Sequence, residues 1–376
     1  MATYVLNGHD LTMKDVAAML ADPDPRVEID PAARELCLRS RGQINKWLEV
    51  GAPAVYGINT GLGALKDVMV PPEKHIEWNQ TLPHVHGAGC GDYLPPEVTR
   101  VELLLRANIL CRSYSAVRVE LIERLLELFC AGVSPAVFAD GSTGLSDLAP
   151  LAQNIMTVAG LEGANAISDG KIVPSARVLR EKGLAETFTL ECKEVLAQMN
   201  GSTMSQAISV VAFIRFERLL AEYRAVMGDA ACADKLTAYE ETAEFIRSIL
   251  DRENNITCDN PNLFELEDGT FEPVMGCNCS NTQVGYAMDL LSGFLAEMAD
   301  DVACRSGDAR AMALVNRNAA KIIEEKDLTG EALCRVVDDL CRTPGAVEEL
   351  SKNARAMAIL DTNERIYKII KEVLGE

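Results

Sequence analysis

Aromatic residues are scarce in this chain, at 5% of 376 positions, and basic residues fall well short of acidic ones. Lys and Arg number 36 against 56 Asp and Glu, a formal charge of −20. Such a field repels phosphate backbones, so neither nucleic acid nor an anionic membrane surface is expected as a partner. The acidic residues are spread along the chain rather than gathered in a tail, and they read mainly as a solubility device. No uninterrupted apolar run approaches the ~20 residues that cross a bilayer. Met1 to Asp10 contain no basic region followed by an apolar one, so export is not expected and a cytoplasmic location is the default. The 12 cysteines scatter from Cys37 to Cys341 without a dense framework, and reduced, buried thiols are expected rather than disulfides.

What is present is helical periodicity. Leu121, Ile122, Leu125, Leu126 and Phe129 recur at three- and four-residue steps, which puts them on one face of a helix. The same spacing runs from Met204 to Met227 through Ile208, Val211, Phe216, Leu219, Leu220 and Tyr223, and again from Val284 to Met298. These stretches predict a mainly α protein built on long core helices. Strand-like alternation is confined to short pieces such as Tyr4-Val5-Leu6. Glycine and proline gather at 57–63, 87–96 and 131–150, where the backbone must turn or lie close to something. Arg305 to Asp308 is the best candidate for a change of character along the chain.

Two familiar chemistries do not fit the spacing. Cys277-Asn278-Cys279 and His84-Val85-His86 lack the matching second pairs of a structural zinc site, so no metal is expected. Gly57 to Gly63 and Gly141 to Gly144 are glycine-rich but carry neither the Lys-Ser/Thr of a P-loop nor the dinucleotide spacing.

The motifs taken together are more specific. Val55-Tyr56-Gly57-Ile58-Asn59-Thr60-Gly61-Leu62-Gly63 closely resembles the signature near the start of the histidine ammonia-lyases. Leu82-Pro83-His84 before Gly87-Ala88-Gly89 looks like that family's Leu-Ser-His segment. Leu104 to Asn108 with Tyr114 to Arg118, Lys193-Glu194 with Met199-Asn200-Gly201, and Asn255 to Pro261 match further family segments in the same order. The resemblance covers about residues 1 to 305. It implies a mainly α fold, a long-helix bundle of the ammonia-lyase type with a small N-terminal mixed region. It also implies a carbon–nitrogen lyase acting on a small-molecule amino acid, and a homo-oligomer, a tetramer whose sites draw on three subunits. Tyr56 stands where the family has its acid/base tyrosine, Ser146 at the prosthetic-group motif, and Asn200 beside that group. His84 would pair with a substrate ring, and Asn278 is what remains of the family's Gly-Asn-Phe-His segment. Each has a plainer alternative: Tyr56 as a buried turn tyrosine, His84 as a loop histidine, Asn200 and Asp147 as helix caps.

Two departures qualify the expected chemistry. The family carries Gly-Ser-Val-Gly-Ala-Ser-Gly-Asp-Leu-Ala-Pro, whose Ala-Ser-Gly closes into an electrophilic methylidene-imidazolone. Here the run is Gly141-Ser142-Thr143-Gly144-Leu145-Ser146-Asp147-Leu148-Ala149-Pro150, one residue shorter, with no glycine after Ser146. Glycine permits the compression that ring closure needs. Leu145-Ser146-Asp147 therefore does not support the family's cofactor, and none is predicted. Between Asn200 and Asn260 the segment that supplies a second tyrosine and a carboxylate-binding arginine has no match, nor does the later glutamate-bearing motif. The expected organisation is an ammonia-lyase-like region over 1–200, core helices over 201–305 and a C-terminal helical segment over 306–376. Within the last, Ile322 to Leu333 and Asn353-Ala354-Arg355 look like the end of peptidoglycan N-acetylglucosaminyltransferases, a short match of amphipathic helix. Alone it lacks a nucleotide-sugar site and would be structural or docking in role. The function so read is a lyase acting on histidine or a histidine-derived amine, with a catalytically degenerate paralogue serving as a scaffold as the alternative.

Overall fold

The structure, a computed structural model, describes residues 3–142, 146–227, 233–276, 278, 281–323 and 325–357. It divides into two compact units, residues 1–292 and 293–376. The first opens with β1 (Thr3–Leu6), α1 (Met13–Ala21) and β2 (Arg26–Ile29), the two strands pairing in parallel with Leu6 opposite Ile29. α2 (Pro31–Trp47) begins where Asp30 accepts from the Ala32 and Ala33 amides and Pro31 supplies a first helical residue with no amide to satisfy. After a long loop come α3 (His75–His86), β3 (Cys90–Tyr93), α4 (Pro96–Leu110), α5 (Val119–Cys130), β4 (Phe138–Asp140) and α6 (Leu148–Ala159). A hairpin of β5 (Asn165–Ser168) and β6 (Lys171–Pro174) leads to α7 (Ser175–Glu181), α8 (Glu194–Met199), α9 (Thr203–Met227) and α10 (Ala233–Glu253). A second hairpin, β7 (Asn262–Glu265) with β8 (Phe271–Val274), precedes α11 (Thr282–Asn316), within which the boundary between the units falls. The second unit also contains α12 (Gly330–Arg342) and α13 (Ala346–Met357), which pack on each other.

The protein is mainly α, and each stretch read as periodic is helical. The strand at Tyr4-Val5-Leu6 is present, and seven further short strands complete four two-stranded pairs among the described residues, more than alternation suggested. Arg305 to Asp308 lies inside α11, so the composition change marks no break: a single glycine there costs helix propensity but does not stop it. No helix among the described residues is long and apolar enough to cross a membrane.

The core of the first unit is α4, which packs against α5 and α9 and is buried on every side from Val101 to Leu110. Its apolar residues Leu103, Leu104, Leu105 and Leu110 are buried, as are Leu121, Ile122 and Phe129 on α5 and Val210 and Phe213 on α9. Burying a charge is costly unless it is paired. Glu102 and Arg106 are buried one helical turn apart and face each other across it at 3.4 Å. Burial pushes the Glu102 carboxyl up, and Arg106, Thr203 and Asn154 pull it back. The thiols of Cys37 and Cys192, also buried, are pushed up to about 12, so both are neutral.

Candidate active site

The loop that presents Tyr56 is closed by its own polar side chains. Asn59 accepts the Val55 amide at 2.6 Å and donates to the Trp47 and Pro53 carbonyls at 2.9 and 2.8 Å, which ties the loop to the end of α2. Gly57 takes a φ of +67°, and a Cβ there would stand 2.6 Å from Leu196 of α8. Only glycine satisfies both conditions. Tyr56 is left half-buried, with its hydroxyl oxygen 3.4 Å from the Gly63 amide that donates to it.

α3 forms the facing wall. Trp78, Thr81, Leu82, Val85 and His86 recur at three- and four-residue steps and all line one open cleft of about 580 Å³ with Tyr56. His84 is exposed and is not among the residues lining the cleft. The helical period explains this: the position two residues from His86 is turned about 200° around the axis. His86 is the histidine at the cleft, and its signal in the sequence was its register with Trp78 and Leu82. Its Nδ1 lies 3.1 Å from the Leu82 carbonyl, which can only accept, so the proton is on Nδ1 and Nε2 is free to accept from a ligand in the neutral ring.

The floor is built from Leu148 at the start of α6 and from Met199 and Asn200 at the end of α8; Ser146 is not among the lining residues but sits against Asn200. Ser146 is buried at φ +76°, and its Oγ accepts the Gly201 amide at 2.8 Å. The hydroxyl has both Asn200 Oδ1 and the Gly201 carbonyl within reach as acceptors, at 3.2 Å each. Asn200 lines the cleft and donates from Nδ2 to the carbonyl of Asn260, another lining residue, at 3.3 Å. Asn200 also closes α8, its amide donating to the Leu196 carbonyl, so its position as a cap and its position in the cleft coincide. Asp147 does not cap α6 with its side chain. Its carboxylate instead accepts from the Ser205 amide and hydroxyl at 2.8 and 2.9 Å, at the start of α9, and from Ser142 Oγ at 2.7 Å. A carboxylate is favoured there by the helix N-terminus. Thr143, Gly144 and Leu145 lie outside the described residues.

Behind this floor two buried cations hold the backbone. Arg106 donates from Nη1 to the Ala197 and Asn200 carbonyls, at 2.9 Å each. Lys193 pairs with Asp259, both wholly buried, immediately before Asn260. Arg118 grips Glu194 with two bonds, Nε to Oε1 at 2.8 Å and Nη2 to Oε2 at 2.7 Å. The Tyr114–Arg118 and Lys193-Glu194 motifs are thus struts for α8, which carries Leu196 and Met199 into the cleft wall. Asn278 is not at the cleft: its Nδ2 donates to the Thr257 and Asp259 carbonyls at 2.8 and 2.9 Å, bracing the segment before Asn260. Cys277 and Cys279 lie outside the described residues. Among the described residues lining the cleft none is Arg, Lys, Asp or Glu, so orientation of a ligand falls to Tyr56, Thr81, His86, Asn200 and Asn260.

Comparison with known proteins agrees with this architecture. Residues 11–231 match the family described as aromatic amino acid lyase. The chain is 31% identical over 355 residues to the histidine ammonia-lyase of Geobacillus sp. (strain WCH70), covering 79% of this chain and 68% of that one. It is 39% identical over 227 residues to that of Anaeromyxobacter dehalogenans (strain 2CP-C), covering 59% of this chain but 44% of the relative. The crystal structure of histidine ammonia-lyase from Trypanosoma cruzi superposes with a TM-score of 0.70 at 28% identity, over 80% of this chain and 66% of that one. The chain belongs to the aromatic amino acid lyase family and is histidine ammonia-lyase-like within it.

Proposed function

We propose that the chain is a carbon–nitrogen lyase of the histidine ammonia-lyase type, acting on histidine or a histidine-derived amine without the methylidene-imidazolone electrophile. The observation that carries this is the shared lining: Tyr56, His86 and Asn200 meet on one cleft whose other walls are largely apolar. In such an elimination the β C–H and the C–N bonds break, the proton goes to a base and the electron pair leaves with nitrogen. Tyr56 is the base in this reading, and the Nε2 lone pair of His86 receives the N–H of a substrate imidazole. The chain acts as a cytoplasmic homo-oligomer, a tetramer by family resemblance.

The residues at the Ser146 turn do not fit the family's prosthetic group. Closure would bring the Asp147 nitrogen onto the Leu145 carbonyl carbon. That nitrogen donates to the Gly201 carbonyl at 2.6 Å, and the attached side chain is fastened to α9 and Ser142. No step is routed through the group, and nitrogen leaves unassisted. A quaternary amine departs as a neutral tertiary amine and suits such a site better than ammonia does. Each ~1.4 kcal/mol so spared is tenfold in rate.

The test is amine release: ammonia from histidine and trimethylamine from its trimethylated betaine, each with wild-type protein and Tyr56→Phe. Release from at least one substrate is expected, slowed by about 10²-fold or more in the variant. No release from either overturns the lyase reading. A second reading, a catalytically silent paralogue that keeps the scaffold for interaction, is favoured by the lack of Arg and Lys among the described cleft residues, since a substrate carboxylate then has no cationic partner from this chain.

A further inference from the structure

We propose that a second, smaller cavity, between α4, the start of α9 and the end of α10, binds a monovalent cation. Gln206, Glu253, Asn254, Cys258 and Asn278 contribute to its lining, and its free space admits one water-sized occupant. Gln206 is 4% exposed, and its Oε1 is buried with no hydrogen-bond partner among the described residues; Asn278 Oδ1 is in the same condition. Neither amide can be turned round to remove the orphan. Gln206 Nε2 donates to the Leu250 carbonyl at 3.1 Å, and Asn278 Nδ2 donates to the Thr257 and Asp259 carbonyls. Those carbonyls only accept, so the unpaired atoms are oxygens.

An unpaired buried acceptor costs free energy, and two of them on one cavity ask for a common partner. A water can give one hydrogen to each. The lining adds Glu253, whose carboxylate has one exposed cationic neighbour, Arg252 at 3.8 Å, and it stands at the C-terminal end of α10, where the helix dipole is negative. Burial pushes the Glu253 carboxyl up against the pull of Arg252, and a cation in the cavity would further favour the ionised form. Amide oxygens with a single carboxylate match the charge of K⁺ or Na⁺, whereas Ca²⁺ sites commonly gather several carboxylates.

The experiment is thermal unfolding of the full chain in KCl, NaCl or choline chloride at equal ionic strength, with calorimetric titration of the same cations into protein held in choline chloride. We expect a saturable rise in melting temperature with K⁺ or Na⁺ over choline, the larger rise identifying the ion, and heat on titration. Gln206→Met should lose about tenfold or more in cation affinity. Asn278→Asp, which adds charge at the second oxygen, should gain affinity and serves if Gln206→Met does not fold. Equal melting in all three salts with no titration heat would overturn the proposal and leave the cavity to a water.

Discussion

His84 and His86 stand two residues apart on α3 and meet opposite surroundings, one exposed and the other on the cleft. His86→Leu is expected to weaken binding of an imidazole-bearing ligand by about tenfold or more, the cost of a lost hydrogen bond to a desolvated ring, while His84→Leu leaves it unchanged; calorimetric titration of both variants decides. The buried cations act on the floor rather than on a ligand. Lys193→Met would leave the Asp259 carboxylate without its ion pair in the interior, a loss of about 3–5 kcal/mol read from urea unfolding. Residues of this kind were only partly legible in the sequence. Tyr56 and Asn200, which the structure puts on one cleft, are legible because their neighbours are glycine, asparagine and threonine in a fixed order. His86 is not, because a motif's letters do not carry helical register. Asn278 reads as a substrate neighbour, whereas it lies off the cleft and bonds backbone carbonyls.

The elements were legible where burial is one-sided. α5 and α9 carry apolar residues at helical spacing and occupy nearly the spans that spacing predicts. α4 is less readable, because a helix buried all round shows no polar face, and its Glu102 and Arg106 find partners that are remote in sequence, Thr203 among them. Asp147 likewise takes its partner 58 residues on, which no local cap rule anticipates. The first residue of α3 makes that helix sensitive to pH. Burial lowers the His75 pKa from 6.5. The unfolded chain therefore takes up a proton below about pH 6.5 that the folded chain refuses, so stability is lost as pH falls through that value. Buried Glu102 and half-buried Asp251, whose pKa values burial raises, act in the opposite sense, gaining stability as they take up a proton. Denaturant titrations across about pH 5 to 7 should therefore show a shallower acid loss of stability in His75→Gln than in the wild type.

At the scale of the molecule, the chain keeps the family's helical scaffold and the loop that presents Tyr56, and it brings no cationic side chain to the cleft from its described residues. The acidic surface charge, −20 over the chain, is consistent with a cleft that selects by shape and hydrogen bonding rather than by attracting anions. The chemistry open to the cleft depends first on whether Leu145-Ser146-Asp147 stays ordinary peptide. Intact-mass spectrometry of the purified protein tests it most directly. The unmodified mass of the 376-residue sequence is expected, and a species lighter by two waters would contradict an unclosed tripeptide.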